Sequence, residues 1–186
     1  MNILTRFILS RAMRRAAKES SLINLPIATY ANDYITQKII LDGWFEKREL
    51  YALEDFFLSK KLDTKICIDA GANIGNHSLF FSKIFDEVFS FEPNEEVFKL
   101  LEINAASVSN IAAHNLGLSD KKDSLSAHVD KGNLSSGRIV EDKNSNHIFN
   151  VIKLDSFKSD NNLGKISYLK IDIEEHEEAA LRGAKE

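Results

Sequence analysis

The spacing of apolar positions changes character near residue 63. Before it, Leu50, Leu53, Phe56, Phe57 and Leu58 recur near helical spacing and predict a helix that packs on the C-terminal remainder of the chain. Residues 1–62 read as helical and connecting structure, an N-terminal extension without a catalytic signal. Asp42-Gly43 marks a turn, after which Trp44 and Phe45 serve either as core anchors or as the rim of a substrate mouth. From residue 63 onward short apolar runs alternate with helical segments. Strands are predicted at 66–70, 88–92 and 111–116, with helices at 78–85 and from Asn94, which can cap its helix above Glu95 and Glu96. Such alternation indicates a parallel sheet covered by helices on both faces. After Asp120 the rhythm breaks into two strands, 124–129 and 148–154, joined by a polar segment rich in Gly, Asn and Ser. These read as an antiparallel excursion set into an α/β framework. An apolar strand at 166–173 and a helix from Glu177 complete the pattern.

Composition narrows the class. A chain of 186 residues with 44% hydrophobic and 28% charged residues is one ordinary globular domain, not a disordered or disulfide-stapled one. The net charge of -4 gives no whole-molecule footprint for nucleic acid. Cys67, the sole cysteine, sits in an apolar run and reads as a buried, inert thiol, so a cytoplasmic setting is expected. The first 20 residues stand apart. Arg6, Arg11, Arg14, Arg15 and Lys18 against Glu19 make this end +4, which leaves -8 for the remainder. Ile3, Leu4, Phe7, Ile8 and Met13 are expected on one face of a helix and the arginines on the other. That helix either lies on an anionic membrane surface or packs on its own domain or a partner subunit.

The chemistry concentrates in Asp69-Ala70-Gly71-Ala72-Asn73-Ile74-Gly75-Asn76-His77. A strand ending in a glycine-rich turn that feeds a helix is the nucleotide corner of doubly wound folds. A dinucleotide fingerprint starting at Gly71 would need Gly where Asn73 and Asn76 stand, and no lysine follows Gly75 to complete a phosphate loop. A phosphate-bearing ligand is therefore disfavoured. An adenosine whose tail carries amino and carboxylate groups suits the amide-bearing loop better. Glu92, 23 positions after Asp69 and stopped by Pro93, is placed to accept from both ribose hydroxyls. Asp69 is expected at the mouth of the loop, facing the cationic end of S-adenosylmethionine.

The sequence resembles the FkbM-type methyltransferases from about Asp63 to Ala184. The resemblance rests on Ile68 to Gly75, Phe91-Glu92-Pro93-Asn94, Gly117-Leu118-Ser119-Asp120, Leu154-Asp155 and Leu169-Lys170-Ile171-Asp172-Ile173-Glu174. It implies a Rossmann-like class I sheet binding S-adenosylmethionine, and O-methyl transfer to a glycan or a natural-product-like small molecule. Two departures stand out. The family has Gly after the acid matched by Glu174, where this chain has Glu175, so strain is expected there. The fold also has seven strands ordered 3-2-1-4-5-7-6, of which residues 63–186 supply about four plus the excursion. The domain is thus expected to be C-terminally incomplete, with an open sheet edge that favours self-association.

Within this frame Asp69, Gly71, Asn73, Gly75, Asn76 and Glu92 are expected to bind the cofactor. Ser119 and Asp120 are expected at its adenine edge or in a solvated turn. Asp172 and Glu174 are the candidate catalytic carboxylates, Asp172 serving either as base or as a holder of the methionine tail. Glu174 to Glu178 holds an acid cluster that suits a helix start better than a metal site, so no metal is expected. His77 is expected to cap or pack, and Asn133, Ser135 and Ser136 to form a substrate lip or a loop. The competing functions are a non-catalytic cofactor-binding or interaction module and an NAD-dependent oxidoreductase.

Overall fold

The computed structural model describes residues 2–20, 26–31, 33–130, 133–140 and 145–185. Three helices come first, α1 (Ile3–Ser20), α2 (Tyr34–Asp42) and α3 (Lys47–Lys60). An α/β unit comes next: β1 (Ile66–Ala70), α4 (Asn76–Phe81), β2 (Glu87–Phe91), α5 (Glu95–Ala105) and β3 (Ile111–His114). Then come β4 (Gly117–Leu118), β5 (Asp123–Asp130), β6 (Asn133–Ile139), β7 (His147–Ile152), α6 (Leu154–Asp160), β8 (Ile166–Ile171) and α7 (Glu177–Arg182).

The strands form two sheets. One is wholly parallel in the order β3-β2-β1-β8, which places the chain's last strand beside its first. The other runs β4-β7-β5-β6, with a parallel β4–β7 pair and antiparallel pairs elsewhere. The excursion is therefore a sheet of its own. The polar connection expected inside it contains a third long strand, β6, and the run expected to end at Leu154 gives way there to α6. β6 eluded the apolar pattern because an edge strand is held by one ladder of backbone hydrogen bonds rather than by two buried faces. Among the described strands β8 pairs only with β1, and its residues are half-buried rather than buried.

The core crosses the expected boundary at residue 62. Trp44, Leu50 and Phe57 pack with Cys67, Leu79, Phe80 and Val88 on one face of the parallel sheet, and Ile39 packs with Ile74 and Val97. The opposite face is closed by Ile68, Phe91, Leu118, Leu154, Phe157 and Ala180. Asn104 of α5 clamps the extension through its side-chain amide, accepting from the Ala28 N–H and donating to the Ala28 and Ile74 carbonyls. Asn94 caps α5 as expected, accepting from the Glu96 N–H at 3.1 Å. Cys67 has no exposure, and burial pushes its thiol far up, so it is inert.

Helix α1 differs from the expectation. At about 3.6 residues per turn, Ile3, Phe7, Arg11, Arg14 and Lys18 fall along one stripe, with Leu4, Ile8 and Arg15 beside it. Along this stripe the apolar residues come first and the basic ones follow, while Arg6, Leu9 and Met13 lie on the other side of the helix. Every residue from 2 to 15 is exposed, so this part of α1 contributes nothing to the buried core. Among the described residues, no helix is long and apolar enough to cross a membrane.

Candidate functional site

A cavity of about 340 Å³ opens at the C-terminal ends of β1, β2 and β8. That volume lies at the lower end of the roughly 300–1,000 Å³ usual for small-molecule sites. Its floor is the loop after β1, with Gly71, Ala72, Asn73, Ile74 and Asn76. Glu92 and Pro93 close one side, and Lys170, Asp172, Ile173 and Glu174 close another. The second sheet adds Ile139, Phe149 and Val151, while the extension adds Tyr34, Phe45 and Glu46.

Glu92 is where an acid at the second strand tip should be. Its Oε1 accepts from the Asn94 N–H at 2.9 Å and its Oε2 from the Asn73 N–H at 3.0 Å. It thereby ties the loop to the strand end while each oxygen keeps a lone pair for a ligand. Burial pushes its carboxyl up to about 7 against the downward pull of those two N–H groups. Asn73 is left-handed (φ 52°), a region Asn tolerates, and its Oδ1 accepts from the Ile74 N–H at 2.7 Å.

Asp69 is not at the mouth of the loop. Its side chain has no exposure and sits beneath the floor, because Asp69 and Lys170 are register partners across β1 and β8. Lys170 Nζ lies 3.1 Å from Asp69 Oδ1 and 3.7 Å from Asp172 Oδ2, and donates to the Gly71 carbonyl at 3.0 Å. The Asp69 Oδ1 contact is an ion pair without aligned hydrogen-bond geometry, since that atom has no hydrogen-bond partner. On its other side, Asp69 Oδ2 accepts from Ser78 Oγ, which in turn accepts from Ser90 Oγ. Burial disfavours the Lys170 ammonium, but Asp69 and Asp172 more than offset this and hold it above its ordinary pKa. The result is a cation, its side chain only 14% exposed, that fixes both the loop and the end of β8.

Gly71 is small for a reason internal to the protein. Its φ is +74°, and a Cβ there would overlap the Asp172 carbonyl oxygen. The loop and the β8 end interlock at this point. Gly75 likewise has φ +89° and would press a Cβ onto Leu101 of α5. Asn76 is spent on the extension, accepting from the Phe45 N–H and donating to the Phe45 carbonyl, each at 3.1 Å. It shapes the cavity wall rather than reaching freely for a ligand.

Ser119 and Asp120 are not among the lining residues. Ser119 is buried, with Oγ 3.0 Å from His176 Nε2, and Asp120 turns outward to Arg182 of α7 at 3.0 Å. That hydrogen bond holds the Asp120 carboxyl below its ordinary range. Pro93, Gly117 and Leu118 line the cavity in their place. Asn133, Ser135 and Ser136 lie on β6, and their side chains are outside the described residues.

Asp172 and Glu174 do come together at the rim, both exposed, just beyond the last residue of β8. Glu174 (φ 47°) and Glu175 (φ 67°) are both left-handed, so the position expected to need Gly has the strained backbone. Such a conformation costs about 1–2 kcal/mol for a residue with a Cβ. Glu175→Gly should therefore raise stability by about 1 kcal/mol in urea unfolding. An unchanged or lower midpoint would mean that the neighbouring contacts relieve the strain.

Lys170, His77 and Glu46 also line the cavity, though none was among the expected site residues. Lys170 had a signal, a lysine inside the mainly apolar 166–171 strand. His77, its side chain 12% exposed and held neutral by desolvation and by Lys170, sits with Nε2 3.1 Å from Glu46 Oε2. Nothing local in the sequence brings Glu46 to that histidine. No group of three or more His, Cys, Asp or Glu suited to a metal occurs among the described residues.

The lining carries Asp33, Glu46, Glu92, Asp172 and Glu174 against one lysine that is already paired. No curated protein matches the sequence. The family model of the methyltransferase FkbM domain matches residues 69–186, from Asp69 through the loop, Glu92 and the rim carboxylates. That match covers more than half of the chain, which therefore belongs to the FkbM methyltransferase domain family.

Proposed function

We propose that the chain is an S-adenosylmethionine-dependent methyltransferase on a Rossmann-like class I framework, acting on a hydroxyl of a glycan or a natural-product-like small molecule. The observation that carries this reading is the excess of carboxylates in the cavity lining. A concave, partly desolvated wall of one sign favours a ligand of the other. S-adenosylmethionine carries a sulfonium and an ammonium, whereas a dinucleotide brings a pyrophosphate that this wall repels. When bound, the cofactor supplies an electrophilic methyl group. Glu92 would hold the ribose hydroxyls, the Asn73 loop would support the nucleoside, and Pro93 with Leu118 would face the adenine.

The remaining work falls to the rim. A hydroxyl must present its oxygen in line and lose its proton, and Asp172 and Glu174 are the acceptors at hand. Lys170, 3.7 Å from Asp172 Oδ2, fixes that carboxylate in place. The apolar wall of Ile139, Phe149 and Val151 would exclude water from the acceptor.

Calorimetric titration tests the cofactor. Saturable binding of S-adenosylmethionine with no response to NAD is expected, and the reverse would overturn the reading. Asp172→Asn should then lower methyl transfer by about 100-fold or more while leaving affinity intact, as for loss of a general base. Loss of binding instead would assign Asp172 to the methionine tail, and no effect on either would remove it from the site.

A further inference from the structure

We propose that α1 docks the protein on an anionic lipid bilayer, with its apolar N-terminal turns inserted and its arginines at the headgroups. The observation is the exposed stripe itself. Ile3 is 88% exposed and Phe7 57%, with Leu4 and Ile8 comparably open, and no core residue covers them. Arg11 and Arg14 continue the same stripe, followed by Lys18, with Arg15 beside it. Glu19 is the one acid of α1.

The order of apolar and basic residues along this stripe points to the occupant, and Arg6 on the other side adds a further cation at the same surface. An apolar tip followed by cations matches a bilayer edge-on, where hydrocarbon lies below a layer of negative charge. The long arginine stems bury along the acyl boundary while their guanidinium groups stay with the phosphates. A second copy of the chain fits poorly, because parallel or antiparallel pairing along this stripe would bring clusters of like charge together or set them against the apolar tip. Nucleic acid would engage the arginines and leave Ile3, Leu4, Phe7 and Ile8 in water. At 18 residues with four arginines, α1 rests in the interface rather than crossing it.

The experiment is co-sedimentation of the full chain with vesicles of phosphatidylcholine alone or mixed equally with phosphatidylglycerol. Binding to the mixed vesicles, lost at high salt and weak on the neutral ones, is expected. Arg11→Gln with Arg14→Gln should weaken it by about 25-fold, at about fivefold for each cation near the surface. Phe7→Ser with Ile8→Ser should weaken it as well, with a nearly unchanged urea midpoint because these side chains lie outside the buried clusters. Equal binding to both vesicles, binding that survives the Phe7 and Ile8 changes, or none at all would overturn the proposal. So would a lowered midpoint, or a dimer in light scattering that the Phe7 and Ile8 changes abolish. Binding to a DNA duplex that outcompetes the vesicles would assign the stripe to nucleic acid instead.

Discussion

Lys170→Met should destabilise the protein by about 3–5 kcal/mol, read from urea unfolding, because it strands a charge under the cavity floor. Asp69 has no exposure and, without Lys170, keeps only the Ser78 hydroxyl on one of its two oxygens. The same change removes the donor to the Gly71 carbonyl, so the loop and the β8 end lose their common anchor. Adding Asp69→Asn should recover most of the loss, since removing both charges leaves no uncompensated ion. A single variant costing under about 1 kcal/mol would show that Asp69 does not need a cation in the folded state.

Glu92→Ala should weaken S-adenosylmethionine binding by about 1.5–3 kcal/mol, or roughly 10- to 150-fold, by calorimetry. Two losses combine, the acceptor for the ribose hydroxyls and the brace between the Asn73 and Asn94 N–H groups. The pH dependence comes from the folded carboxyl titrating near 7, above its ordinary 4.5. A carboxyl raised in this way favours the folded state most below its unfolded pKa, and that contribution disappears as pH rises through about 7. Hydroxyl donors favour the ionised form, so cofactor affinity runs the other way and should rise about tenfold from pH 6 to pH 8. Glu92→Gln keeps the shape and should flatten that dependence. A wild-type affinity that is flat across this range would take Glu92 out of contact with the ribose.

The legible part of the site was local. A short apolar run, glycines at 71 and 75 and an acid stopped by Pro93 give strand, loop, strand and tip between Ile66 and Glu92, and Glu92 sits where that order puts it. Asp69 was misplaced because its partner is a register neighbour about 100 residues away. No periodicity within 66–70 reveals that Lys170 will land opposite it. Asp120 was similarly drawn off by Arg182, a contact made only once α7 folds back. Arg11, Arg14 and Arg15 of α1 fall on the side of Ile3, Leu4 and Phe7 rather than opposite them, because about two or three turns of helix bring these positions back to the same angle. Phe45 and Trp44 divided the two roles left open for them, Trp44 entering the core and Phe45 the cavity wall.

The place of β1 between β2 and β8 also sets a timetable for biosynthesis. Ile66 pairs with Glu87 on one side, 21 residues later, and with Ile166 on the other, 100 residues later. At about 5–20 residues per second, the ribosome leaves the second edge of β1 open for about 5–20 s. Throughout that interval Asp69 has no cation and the Gly71 loop has no Asp172 carbonyl to rest against. The nascent chain therefore carries a half-sheet with an unpaired ladder and an unneutralised carboxylate, an open edge prone to wrong pairing. Only after β8 emerges and docks does the cavity acquire the side formed by Lys170, Asp172 and Glu174, so ligand binding is reserved for chains that have completed this last pairing.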